Sequence, residues 1–213
     1  MSYGEELRQL NPCDPAWNAG RLAALCPMGG ALLDVGCGRG ATLAELARQE
    51  NWNLFGLDPD PAMAARAAEN CPAACIRTGG AEAIPFADAS FDAVLMECVF
   101  SLLDDPAETA RELRRVLRPG GVLLLTDLWA RGEESGLCHG VLIRRVDTRA
   151  DLERPFRAAG LTLLDFEDRS EDMKAMLIRM ILDGTACTYM EEETRAVLRR
   201  CRAGYGIWVW CRE

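Results

Sequence analysis

A chain of 213 residues with 49% apolar content is long enough to bury one sizeable core and leaves little for a second. Its 33 Asp and Glu outnumber 24 Lys and Arg, and a net charge of −9 speaks against a surface that holds a nucleic-acid backbone. No stretch reaches the roughly 18 apolar residues of a membrane span, and the opening MSYGEELRQL has neither a basic n-region nor an apolar h-region, so a cytoplasmic protein is expected.

Residues 1–30 read as a lead-in segment, with Trp17 and a helix near Asn18 to Cys26. From residue 31 short apolar runs alternate with helical stretches, the pattern of a parallel sheet covered on both faces. Strands are expected at 31–35, 53–58, 74–78 and 91–98, the last with its apolar run at 93–96. A helix over 41–49 follows the first strand. Another opens at Asp60-Pro61, where the acid caps and the proline fits the first turn, and runs to about Asn70. Asp105-Pro106 repeats that start, and its helix stops before Pro119-Gly120-Gly121. A fifth strand covers 121–128, the glycine-rich GEESGLCHG follows, then a helix over 148–159 ended by Gly160, and a sixth strand at 161–167. The last strand, YGIWVWC at 205–211, is apolar on both faces, with Ile207, Val209 and Cys211 on one and Trp208 and Trp210 on the other, so it is buried.

Residues 170–204 read as an inserted pair of helices inside one domain spanning 1–213. Met173, Met176, Leu177, Met180 and Ile181 fall on one helical stripe. That stripe packs on the core or forms a lid over an apolar acceptor, where thioethers adapt to shape. The ten cysteines include no C-x-x-C, only CPAAC and the pair Cys138-His139, so buried thiols are expected and no metal site. A soft-ion site built from Cys98, Cys138 and Cys187 is the lesser alternative.

The first strand ends in D-V-G-C-G-R-G, Asp34 to Gly40. Three glycines without Cβ atoms let backbone approach a ligand, and the helix that follows offers free N–H groups to an acceptor. Asp58, 18 residues past Gly40 at the end of strand two, is placed to accept from both hydroxyls of a ribose. Gly36, Gly38 and Ala41 equally fit the G-x-G-x-x-[GA] fingerprint of a dinucleotide dehydrogenase, although such an enzyme needs a sixth parallel strand and usually a substrate domain.

LLDVGCGRG, GLDPD, GGAEAIPFADASFDAVL, LDDPAETARELRRVLRPGG and VLLLTDLW stand in an order and spacing that resembles class I S-adenosylmethionine-dependent methyltransferases of the ubiquinone/menaquinone-biosynthesis type, over about residues 30 to 130. The resemblance implies a Rossmann-like, doubly wound α/β fold with a seven-stranded sheet whose last strand is antiparallel. It also implies S-adenosyl-L-methionine across the ends of strands one to four, and a small-molecule acceptor. Carried over by position, Asp34, Gly36, Cys37, Gly38, Arg39 and Gly40 would cradle the methionine part. Asp58, with Pro59 beside it, would hold the ribose; Gly80, Ala81 and Glu82 would line the adenine; Glu97 and Cys98 would close the site. Two positions depart from the family pattern. Gly80 stands where an Asp commonly precedes Ala-Glu, so Glu82 or a backbone carbonyl must receive the adenine amino group, and VFSLLDDP lacks the histidine often found after strand four.

Methyl transfer from a sulfonium already has a good neutral leaving group, so alignment and desolvation supply most of the acceleration, and a base matters only for a protonated acceptor. Glu97, Asp127 and His139, the only histidine, are the candidates for a base or for positioning the acceptor. Trp17 packs, or else covers the cofactor and attracts its cation. Two other functions compete with this one: a non-catalytic cofactor-binding or partner protein on the same fold, and an NAD(P)-dependent oxidoreductase.

Overall fold

The computed structural model describes residues 14–138, 143–182 and 191–213. Seven helices and nine strands are defined among them, in the order α1 (Pro15–Leu25), β1 (Gly30–Val35), α2 (Ala41–Leu46), β2 (Trp52–Asp58), α3 (Pro61–Asn70), β3 (Cys75–Thr78), β4 (Phe91–Glu97), α4 (Pro106–Val116), β5 (Leu117–Ala130), β6 (Gly136–Leu137), β7 (Arg145–Val146), α5 (Arg149–Ala158), β8 (Leu161–Asp168), α6 (Ser170–Leu182), α7 (Glu192–Arg200) and β9 (Ala203–Arg212). A single 3-10 turn spans Phe100–Leu102.

The main sheet has seven strands in the order β3-β2-β1-β4-β5-β9-β8. β1 pairs in parallel with both β2 and β4, and β5 continues the parallel set, whereas β9 runs antiparallel to β5 and to β8. An antiparallel β9 stands where a dinucleotide dehydrogenase would have its sixth parallel strand. Leu32, Leu33, Asp34 and Val35 are all buried, as are Ala93 to Met96, because helices cover both faces of the sheet centre. The alternation expected of the last strand holds: Trp208 and Trp210 enter the core layer that contains Phe91, Phe100 and Phe156, while Tyr205, Ile207 and Val209 enter the opposite layer with Leu32, Leu43 and Leu54.

Three helices start in the same way. Asp14, Asp60 and Asp105 each accept a backbone N–H of the first turn, from Ala16, Ala62 and Glu108 at 2.8, 2.8 and 2.9 Å, and a proline follows each cap. The first of these corrects the expected lead-in: α1 begins at Pro15, not near Asn18, because Asp14-Pro15 carries the same cap-then-proline signal. α2 ends at Leu46, short of the expected Gln49, and β5 begins at Leu117, ahead of the expected Gly121, taking in Pro119-Gly120-Gly121. The stretch read as a glycine-rich loop contains β6, which pairs antiparallel with β7. Gly136 is required there, since a Cβ would stand 2.5 Å from a Val197 methyl and 2.6 Å from Cys201 Sγ.

The inserted pair is α6 and α7, between β8 and β9. Met173 at its start is buried in the core layer with Tyr205 and Ile207, in line with packing for that position, whereas the side chains at 176, 177, 180 and 181 lie outside those described. Trp17 is partly buried against the same layer, and its ring faces the Arg169 guanidinium 4.7 Å from its centroid, so a protein cation occupies the face considered for a ligand.

Candidate functional site

The order of the sheet reverses at β1, whose two neighbours connect to the chain in opposite directions, and such a switch point leaves a crevice at the carboxyl ends of the strands. A cavity of about 1030 Å³ opens there. Its wall takes in the turn after β1, the end of β2, the segment after β3, the ends of β4 and β5, and parts of α6 and α7.

The turn after β1 is pinned by Leu57, whose carbonyl accepts from Gly36 N at 2.7 Å and Cys37 N at 3.0 Å. Gly36 and Gly38 both have positive φ, +76° and +52°, for different purposes. A Cβ on Gly36 would stand 2.2 Å from a Val99 methyl, so that glycine permits close packing; a Cβ on Gly38 would meet nothing within 4 Å, so that glycine leaves the cavity floor bare.

Asp58 lines the cavity although only 7% of it is exposed. Its Oδ2 accepts from Gly38 N at 2.8 Å and its Oδ1 from Asp60 N at 2.9 Å, which ties β2 to the glycine turn. Each carboxylate oxygen keeps acceptor capacity beyond one bond, so ligand hydroxyls can still be received. Burial raises its pKa, and the two backbone N–H groups oppose that. Asp34 is 2% exposed and does not line the cavity; burial, then Glu97 and Asp58, hold its carboxyl well above the usual range. Cys37 lines the wall with its thiol pushed up by burial and by Asp34 and Asp58, so it packs as a neutral group and not as a thiolate. Arg39 and Pro59 also line it, whereas Gly40 sits behind the wall as the cap of α2.

After β3, Gly80, Ala81 and Glu82 line the cavity, and Glu82 folds back so that its Oε2 lies 3.2 Å from the place a Cβ on Gly80 would take. An acid at 82 thus occupies space that the glycine at 80 leaves open. At the end of β4, Glu97 accepts from Thr42 Oγ1 at 2.7 Å and from Asn18 Nδ2. Cys98 takes φ +55°, with its Sγ 3.5 Å from the Tyr205 hydroxyl. At the end of β5, Asp127 is fully buried; its Oδ2 accepts from Ser101 N at 2.9 Å and its Oδ1 from Leu128 N at 2.7 Å. Burial raises its pKa to about 6 against those hydrogen bonds.

Twelve positions named from the sequence thus line one cavity, Asp34 and Gly40 sit behind its wall, and His139 lies outside the described residues. Sequence reasoning missed Asn18, Thr42 and Met63. Thr42 follows the glycine turn directly and Met63 lies in the first turn of α3, so both were within reach; Asn18 meets Glu97 across 79 residues and had no local signal. Among the described residues no group of three or more His, Cys, Asp or Glu could hold a metal ion, and no helix is long and apolar enough to cross a membrane.

The methyltransferase-domain family matches residues 33–125. Over 207 residues, 88% of this chain and 72% of the relative, the sequence is 30% identical to dimethylglycine N-methyltransferase of Parasynechococcus marenigrum. It is 39% identical over 109 residues, 50% of this chain and 40% of the relative, to a probable S-adenosylmethionine-dependent methyltransferase of Mycolicibacterium smegmatis. The chain spans 30% to 46% of the length of the first curated relatives it matches. Among solved structures, the [4+2]-cyclase SpnF superposes with a TM-score of 0.72 at 24% identity, covering 92% of this chain and 80% of its own.

Proposed function

This chain belongs to the class I S-adenosylmethionine-dependent methyltransferases, and we propose that it transfers the methyl group of S-adenosyl-L-methionine to a small-molecule acceptor, acting as one domain in the cytoplasm. The observation that carries this reading is one cavity lined at one end by Gly36, Gly38 and Asp58 and at the other by Asp127, Leu128 and Tyr205. Donor and acceptor can therefore share a single partly enclosed volume. Eight free thiols among the described residues support a reducing compartment.

The residues present suit the cofactor on three counts. Gly38 leaves bare backbone at the floor, Asp58 is a buried acid with acceptor capacity left, and Gly80 with Glu82 leaves a recess beyond β3. When bound, the sulfonium supplies an electrophilic methyl with a neutral thioether as its leaving group. Asp58 would accept from the ribose hydroxyls, Glu82 would face the adenine, and Gly36 to Arg39 would border the methionine part. Glu97, held on both oxygens by Asn18 and Thr42, is a fixed acceptor at the end of β4 that would border the cofactor. Burial raises the Asp127 pKa to about 6 and the residue lines the far half of the cavity, so it is the group we assign to receive an acceptor proton when the acceptor carries one. His139 stays a candidate for the same task. The rest of the acceleration comes from alignment and exclusion of water.

A methyl-labelled cofactor incubated with the protein and a small-molecule cell extract tests the reading: label is expected in a new small molecule. Binding of S-adenosylhomocysteine with no label transferred to any fraction would overturn it and favour a non-methylating use of the fold. The likeness of the fold to a [4+2]-cyclase is the reason to keep that second outcome in view.

A further inference from the structure

The lining of the cavity is divided by charge. Around the cofactor half the ionisable wall residues are Asp58, Asp60, Glu82 and Glu97 against the single cation Arg39. Beyond β4 the balance inverts: Arg131, Arg144, Lys174, Arg199 and Arg202 line the wall against Asp104 and Asp127. This happens in a chain of net charge −9. Five like charges around one partly enclosed volume repel one another unless something answers them.

For three of the five the answer lies in the protein. Arg144 pairs with Asp104 at 2.5 Å, Arg199 with Glu192 at 2.7 Å, and Lys174 with Glu171. No carboxylate among the described residues lies within ion-pair distance of Arg131 or Arg202. Arg131 is nevertheless held in place. Its Nε donates to the Arg202 carbonyl at 3.2 Å, and its Cδ and Cγ lie 2.9 and 3.1 Å from where a Cβ on Gly204 would stand, so the stem crosses bare backbone of β9. Arg202 has φ +53° at the turn that enters β9. Arg131 thus has a fixed stem and, among the described residues, no acceptor for its terminal nitrogens, and such a guanidinium offers a forked pair of donors that fits the two oxygens of a carboxylate or phosphate. Leu128, Ile143, Met173 and Leu198 line the same half and suit an apolar body.

Resting on the methyltransferase reading above, we infer that the acceptor is an anionic small molecule, a carboxylate or phosphate ester with an apolar body, anchored by Arg131 and Arg202. The acidic half receives the cationic donor and the basic half the anionic acceptor, so the two ligands cannot exchange places.

Phenyl phosphate, benzoate and neutral benzamide are titrated by calorimetry into the full chain, both free and saturated with S-adenosylhomocysteine. At least one anion is expected to bind about tenfold or more tightly than benzamide, with an affinity that falls as salt is raised. The phosphate and carboxylate arms decide which anion is preferred. The preference should vanish in the Arg131→Ala, Arg202→Ala double variant and return in part in Arg131→Lys, while S-adenosylhomocysteine affinity stays unchanged. Equal binding of benzamide, no measurable binding of either anion, or a preference that survives removal of both guanidiniums overturns the inference. The wild-type comparison decides even if the double variant does not fold. Failure of S-adenosylhomocysteine to bind would instead strike the methyltransferase reading, since the titrations on the free chain are read independently.

Discussion

The two halves of the cavity are built by different means. The cofactor half is mostly backbone and short side chains at the ends of β1, β2 and β3, where neighbouring strands fix every position to within a hydrogen bond. The acceptor half is made largely of long side chains from the end of β5 and the segment after it, from α6, and from α7 and the turn into β9, stretches separated by tens of residues between β5 and α6. Backbone that must meet a constant ligand leaves a short, readable pattern, whereas long side chains around a variable ligand leave none.

Substitutions can break this contrast, beginning with the most severe. Gly36→Ala combines φ +76° with a Cβ 2.2 Å from a Val99 methyl, and should lower stability by about 3 kcal/mol, read by urea denaturation. Gly38→Ala shares the positive φ but meets open space, so it should cost only about 1 kcal/mol of stability while weakening S-adenosylhomocysteine binding. If the two variants unfold alike, the separate roles of these glycines are wrong. Asp58→Ala should weaken cofactor binding by about 1 to 3 kcal/mol, measured by calorimetry, and an unchanged affinity would remove Asp58 from the site.

Asp127 belongs to the boundary between the halves. Burial raises its folded-state pKa to about 6, above the ordinary 3.8, so folding takes up a proton. Its contribution to stability is largest at low pH and is lost as pH rises between those two values. Comparing wild type with Asp127→Asn by denaturation at pH 5 and pH 7.5, the wild type should lose about 1 to 1.5 kcal/mol more across that interval. An identical pH dependence in the two proteins would show that Asp127 ionises as an exposed acid does. The smallest effect is expected in the acceptor half: Asp104→Asn breaks an ion pair whose side chains are 53% and 85% exposed, and should change stability by less than about 0.5 kcal/mol without altering cofactor affinity.

How much was readable follows the same division. The order of strands and helices, the aspartate caps at Asp60 and Asp105, and the two faces of the last strand were all legible, because each depends on residues within one turn or one strand of each other. Asp14-Pro15 carried the same signal and was overlooked beside Trp17. Of the site, Gly36, Gly38, Asp58 and Ala81 carried a local signal, and all four line the cavity. Asp34 illustrates the limit. The sequence marks it as an acid beside the turn, but only the layered sheet decides that it is buried behind the wall, where burial first, and then Glu97 and Asp58, raise the pKa of its carboxyl.

The sequence by itself determined the alternation of strand and helix, the bare turn after β1 and the acid one strand away, since periodicity, caps and glycines act over a few residues. Tertiary structure alone decided that Asn18 and Thr42 clamp Glu97, that Arg131 lies across Gly204, and that one cavity carries acids at one end and mostly basic side chains at the other. Those contacts join residues 55 to 79 positions apart, and no local pattern encodes a distance that only the packed sheet creates.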